Sequence, residues 1–146
     1  MAGMVDSYEV AVLDYMTAGA GTTVSPTNWF VILYTAAPLE DGTGGTEVST
    51  AGTAYARVSM ANTDWAAAVA GQPSTVSNSN TVTFPVATAS WGNVVAFGIA
   101  PAGVEGVADV QDWALLDISK TIGIGDTASF APGTLTLQLG DPTDTY

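Results

Sequence analysis

Apolar residues in the first segment recur at helical spacing. Tyr8, Ala11, Val12, Tyr15 and Met16 fall on one face of a helix. Asp6 is placed to cap it, Glu9 three residues later completes a capping box, and Gly19 is a natural stop. The pattern predicts one helix over 6–18. Helical periodicity then disappears. After a turn-rich connection containing Pro26, the run WFVILYT (Trp29–Thr35) is β-branched, aromatic and apolar on both faces, as a central strand buried on both sides requires.

From there onward the chain alternates in short pieces. AYARVSMAN (54–62) reads as a strand and TDWAAAVAGQPS as a loop, and TVSNSNTVTFPV holds two short strands. SWGNVVAFGIAP is a core strand stopped by Pro101. In VQDWALLDIS, Trp113, Leu115 and Asp117 share one face, and Asp112, Ala114, Leu116 and Ile118 the other. KTIGIGDTASFAPGTLTLQL reads as strand, Gly-Asp turn, strand, Pro-Gly turn and final strand. About eight strands over 29–139, behind one N-terminal α-helix, imply an all-β antiparallel sandwich of jelly-roll-like topology. The chain reads as one domain, 1–146, with a polar tail over 140–146. The expected core is Trp29, Val31, Leu33, Phe84, Trp91, Val95, Phe97, Ile99, Leu115, Phe130, Leu135 and Leu137.

Composition narrows the function. Only 11% of residues are charged, about half the ordinary share, so Thr, Ser, Asn and Gly must fill the solvent-facing positions. Lys and Arg number 2 against 14 Asp and Glu, a formal net charge of −12. Neutralising phosphates takes Lys and Arg, so direct nucleic-acid binding and adsorption to an anionic membrane are disfavoured. The chain has no cysteine and no histidine. Disulfides, a thiolate nucleophile, a Cys/His zinc site and an imidazole base are excluded, and folding in a reducing cytoplasm fits. Asp6, Glu9 and Asp14 interrupt the apolar N-terminal residues, which read as neither signal peptide nor membrane span.

The stretch APLEDGTGGTE (37–47) is the most site-like. A phosphate loop needs a following helix and a lysine; here a strand follows, and Glu40, Asp41 and Glu47 would repel phosphate. Calcium suits Asp41, Glu47 and loop carbonyls better, but their spacing is not that of an EF-hand, and a plain solvated loop is the stronger reading. Asp112 and Asp117 point to opposite faces of one strand, and Lys120 beside Asp117 and Ser119 reads as a surface ion pair in a turn. Catalysis has no footing, and neither a cofactor nor a metal is expected. Candidate interface residues are Arg57, Trp65, and Tyr8 and Tyr15 on the helix. Arg57 either covers sheet surface with its head on a carboxylate or crosses a subunit contact. Trp65 in TDWAAAVAG either plugs the sandwich end or marks an exposed apolar patch.

The order of WFVILYTAAP, DGTGGTEV, AYARV, TVSNSNTVTFPVAT, SWGNVVAFGI and ISKTIGIGDTASFAPGTLTLQL resembles a family of small tailed-bacteriophage virion proteins. Its members are labelled tail-fibre proteins or capsid decoration (cement) proteins. The likeness runs from Tyr8 to Leu139 and departs at Trp65–Gly71 and in PAGVEGVADVQD, both loops. It implies a virion structural protein, made in the host cytoplasm, with no catalytic residue. The expected role is a decoration protein bound to the major capsid protein on the outside of the head shell, as a homo-oligomer, expected to be a trimer. A tail-fibre or head-fibre base component contributing to host adsorption is the alternative, and a secreted carbohydrate-binding module a distant one.

Overall fold

A computed structural model describes residues 3–5, 10, 12, 13, 16, 17, 26–71, 74–104 and 110–139. Among them the strands are β1 (Gly3–Met4), β2 (Asn28–Pro38), β3 (Gly44–Glu47), β4 (Val58–Ala61), β5 (Ser74–Ser77), β6 (Val82–Thr83), β7 (Gly92–Ala100), β8 (Asp112–Ile122), β9 (Ser129–Phe130) and β10 (Thr136–Leu139). One layer is a sheet in the order β1-β8-β7-β2-β3, with β4 also on β2; the pairs β10–β5 and β6–β9 stand apart from it. Every pairing is antiparallel. The molecule is an all-β antiparallel sandwich.

β2 is the central strand. β7 lies along one edge, while β4 takes Asn28–Val31 and β3 takes Tyr34–Pro38 on the other. Val31, Ile32, Leu33 and Tyr34 are all buried, because both faces are covered. Val31 and Leu33 enter the main core with Phe84, Trp91 and Leu135. Ile32 and Tyr34 enter a smaller cluster with Ala96 and Ala100 on the reverse face. That reverse face is tight: a Cβ on Gly98 would meet Val110 Cγ2 at 2.6 Å and Tyr34 Cε2 at 3.1 Å.

Aromatic rings join the two layers. Tyr55 stacks on Phe84 at 6.0 Å, and Trp91 meets both edge-on at 5.4 and 6.3 Å. Phe130 then links Phe84 to Phe97. Trp91 Nε1 donates to the Thr53 carbonyl at 2.9 Å, which satisfies its polar end. Buried Asn78 works as a clamp on the Pro-Gly turn. Its Nδ2 donates to the carbonyls of Asn80 and Ala131, and its Oδ1 accepts Leu135 N–H.

Several expectations change. Leu115 is not core; it is 57% exposed. The alternation along β8 is as expected, but the inward face is Asp112 and Ala114, both buried. Ala114 lies opposite Phe97 and Leu115 opposite Ala96: the large ring of Phe97 fills the core at this level and leaves room only for a small neighbour. Trp29, Val95, Phe130 and Leu137 are half-buried. The AYAR segment precedes β4 rather than lying in it, Lys120 belongs to β8 rather than to a turn, and GGTE in the acidic loop is a strand. The helix expected over 6–18 falls largely outside the described residues, Tyr8 and Tyr15 included. Of its expected packing face, Val12 is half-buried and Met16 exposed.

Candidate functional site

The acidic loop is organised by its own backbone. Leu39 N–H donates to the Thr43 carbonyl at 2.8 Å and Gly42 N–H to the Leu39 carbonyl at 3.0 Å. Asp41 Oδ1 accepts the Thr43 hydroxyl at 2.6 Å and its N–H at 2.9 Å, and these bonds hold the Asp41 carboxyl below its ordinary value. At Gly45 the backbone has φ 72°, and a Cβ there would come within 3.0 Å of the Pro38 nitrogen. Glycine is therefore required by the close approach of β3 to β2. The loop's other acid, Glu47, faces a different partner.

That partner is Arg57. Its Nε and Nη2 donate to the two Glu47 oxygens at 2.9 and 2.7 Å, and Nη1 donates to the Ala102 carbonyl at 2.7 Å. The Arg57 and Glu47 side chains are only 4% and 10% exposed. The Tyr55 hydroxyl completes the group, donating to Glu47 Oε1 at 3.1 Å and accepting Leu33 N–H at 2.9 Å. So β2, β3 and the segment before β4 are tied together by one polar network. Burial alone would lower the Arg57 guanidinium, but the bonds and charge of Glu47 hold it above its ordinary value. Residue spacing did not reveal Tyr55 as a network member; its tyrosine hydroxyl, two positions before the arginine, was the available signal.

The network gives the fold an alkaline limit. Burial first, then the negative charge of Glu47, push Tyr34 from 10.0 up to about 12; burial pushes Tyr55 up as well. The unfolded phenol ionises near 10, while the folded one stays neutral until about 12. The corresponding stability is complete below pH 10 and is lost as pH rises through 12. Thermal melts from pH 9 to 12 should show this decline, and Tyr34→Phe should make it shallower, leaving the share that comes from Tyr55. A Tyr34→Phe profile identical to the parent's would rule Tyr34 out as its source.

The Trp65 end is built differently. A 3-10 turn at Asn62–Asp64 leads into Trp65, and the chain then runs back along β5. Trp65 bridges Asn78 and Val69 bridges Thr75, with Ala66 N–H on the Ser77 carbonyl at 2.8 Å. Trp65 packs half-buried against the main core, and its buried Nε1 has no hydrogen-bond partner. Beside it lies a cavity of about 480 Å³, lined among others by Trp29, Ala68, Val76, Ile99 and Leu137. The following residues, Ala66–Ala70, are all exposed. The segment is thus both plug and patch: the indole covers the sandwich end, and a small apolar strip faces outward. Arg57 does not join Trp65; its head is turned to partners in its own chain.

Over residues 3–138 the chain matches the family described as podophage GP4 fiber I protein gp80. It belongs to that family and is a structural protein of a bacteriophage virion, fibre-like in kind. The family is one of fibre proteins rather than enzymes. No curated protein matches the chain. Among the described residues no helix is long and apolar enough to cross a membrane.

Proposed function

We propose that the chain is a surface subunit of the particle that docks through its Trp65 end onto the major capsid protein and stabilises the head shell as a decoration protein. The observation that carries this is the half-buried Trp65 over an apolar cavity, continued outward by the exposed strip Ala66–Ala70. Interfaces use such aromatic anchors at their centre, and an apolar strip on a surface otherwise rich in acid and Thr is the mark of a partner. Binding raises the stability of the bound shell by mass action, and a trimer would multiply each contact by effective concentration. Arg57 is not one of the docking residues in this reading.

The family description favours a second reading, a fibre base component on tail or head that contributes to host adsorption. Trp65→Ala separates the two. The variant should keep its β-rich circular dichroism and bind undecorated capsids at least about tenfold more weakly. Unchanged binding would remove Trp65 as an anchor. Binding of the parent to isolated tails but not to capsids would establish the fibre reading instead.

A further inference from the structure

Asp41–Gly42 is the single Asp-Gly step of the chain, and no Asn-Gly step occurs. An Asp-Gly step is where a backbone rearranges most readily. The glycine nitrogen attacks the aspartyl Cγ, its proton and one carboxyl oxygen leave as water, and a five-membered succinimide closes. Water then reopens the ring at either carbonyl. One product is aspartate again; the other is isoaspartate, whose backbone runs through the side chain and is one carbon longer. Glycine favours the attack because it has no Cβ to hinder the approach. Asp41 and Thr43 are both exposed, so water reaches the step freely.

The structure holds the two reacting groups back. Asp41 Oδ1 accepts the Thr43 hydroxyl at 2.6 Å and the Thr43 N–H at 2.9 Å, an Asx turn whose hydroxyl bond has the length of a charge-assisted one. The Gly42 N–H is committed to the Leu39 carbonyl at 3.0 Å, and Leu39 N–H closes the same turn on the Thr43 carbonyl at 2.8 Å. Attack therefore requires the carboxyl to leave Thr43 and the Gly42 nitrogen to leave Leu39: the turn has to open first. The Thr43 bonds act a second time by holding the Asp41 carboxyl below its ordinary value, which favours the carboxylate, a poorer source of departing water than the acid. Gly42 is also seated against the body of the fold. A Cβ on it would lie 3.1 Å from Val5 Cγ1 and 3.5 Å from the Val110 carbonyl oxygen, and both residues are buried. One more backbone carbon at position 41 would shift the loop off that seat.

We propose that Thr43 guards Asp41–Gly42 against isoaspartate formation, so that this turn is where the chain ages and the Thr43 hydroxyl sets the rate. A released particle makes no replacement protein, and a slow covalent lesion in its coat is permanent. The inference concerns the chain by itself and stands or falls separately from capsid docking. The full chain is kept warm at neutral pH, and an endoproteinase that cuts before aspartate but not before isoaspartate reads the modified fraction at Asp41. Thr43→Val should raise the rate at least about fivefold, the factor for losing one hydrogen bond. Thr43→Ser, which keeps the hydroxyl, should age as the parent does. In concentrated urea the parent and both variants should converge on one faster rate. Asp126, exposed but followed by Thr127, is the internal control and should stay unmodified in the folded chains. Equal rates for the parent and Thr43→Val overturn the proposal, as does a parent that ages as fast folded as in urea. So does a Thr43→Ser rate equal to that of Thr43→Val, or a rise at Asp126 matching that at Asp41, which would mean general loosening.

Discussion

Phe84→Ala is expected to lower folding stability by about 3–5 kcal/mol, the range for emptying a buried phenylalanine site. Phe84 is 2% exposed, and its ring touches Tyr55, Trp91 and Phe130. Those neighbours come from the segment before β4, the entry to β7, and β9. Collapse around the vacated space would have to move three separately anchored rings, two of them held by hydrogen bonds to backbone. Relaxation is therefore limited, and the cavity cost stays high. For a domain of this size the midpoint should fall by roughly 10 °C. Urea denaturation checks the magnitude; a loss below about 1 kcal/mol would mean the ring cluster is not the centre of the core.

Arg57→Ala is the second large effect, expected at about 3 kcal/mol, the low end for breaking a buried pair, since Glu47 borders the sheet. Removing the guanidinium strips three donors from a site that excludes most water, leaving the Glu47 carboxylate with Tyr55 alone and the Ala102 carbonyl without its bond to Nη1. The sign of the partner experiment is informative. Glu47→Gln together with Arg57→Met should lose less than Arg57→Ala alone, because the stranded charge goes with its partner. Arg57→Lys should recover little, since an ammonium lacks the fork that meets both carboxylate oxygens and the carbonyl. A double variant as unstable as the single one would show that the lost hydrogen bonds, including the one to the Ala102 carbonyl, and not the stranded charge, are the source.

These two sites differ in how far the sequence discloses them. Phe84, Trp91, Leu33 and Leu135 are legible as core because strand alternation and turn residues mark their faces. Leu115 is not legible: alternation divides β8 correctly into two faces, but which face is inward depends on Phe97 opposite, a pairing invisible along the chain. The acidic loop is misleading for the same reason. Its composition suggests a ligand site, yet Glu47 is directed by Arg57, ten residues on, and Gly45 by the nearness of Pro38. Trp65 is legible as unusual, but that it is plug and patch at once follows from β5 lying alongside. The register slip between β7 and β8, where Val94 faces Lys120 but Ala96 faces Leu115, has no sequence signature at all, since it depends on how the two strands meet.

The place of β2 has a consequence for how the chain is made. Its inner edge belongs to β7, whose residues leave the ribosome long after WFVILYT has done so, and long-range pairing of this kind makes folding slow. At about 5–20 residues per second, the most apolar segment of the protein waits several seconds without its partner. During that interval nascent chains on neighbouring ribosomes could join through the same exposed strand. The scarcity of positive charge then has a use before any particle exists: incomplete copies repel one another until β7 emerges and closes the sheet.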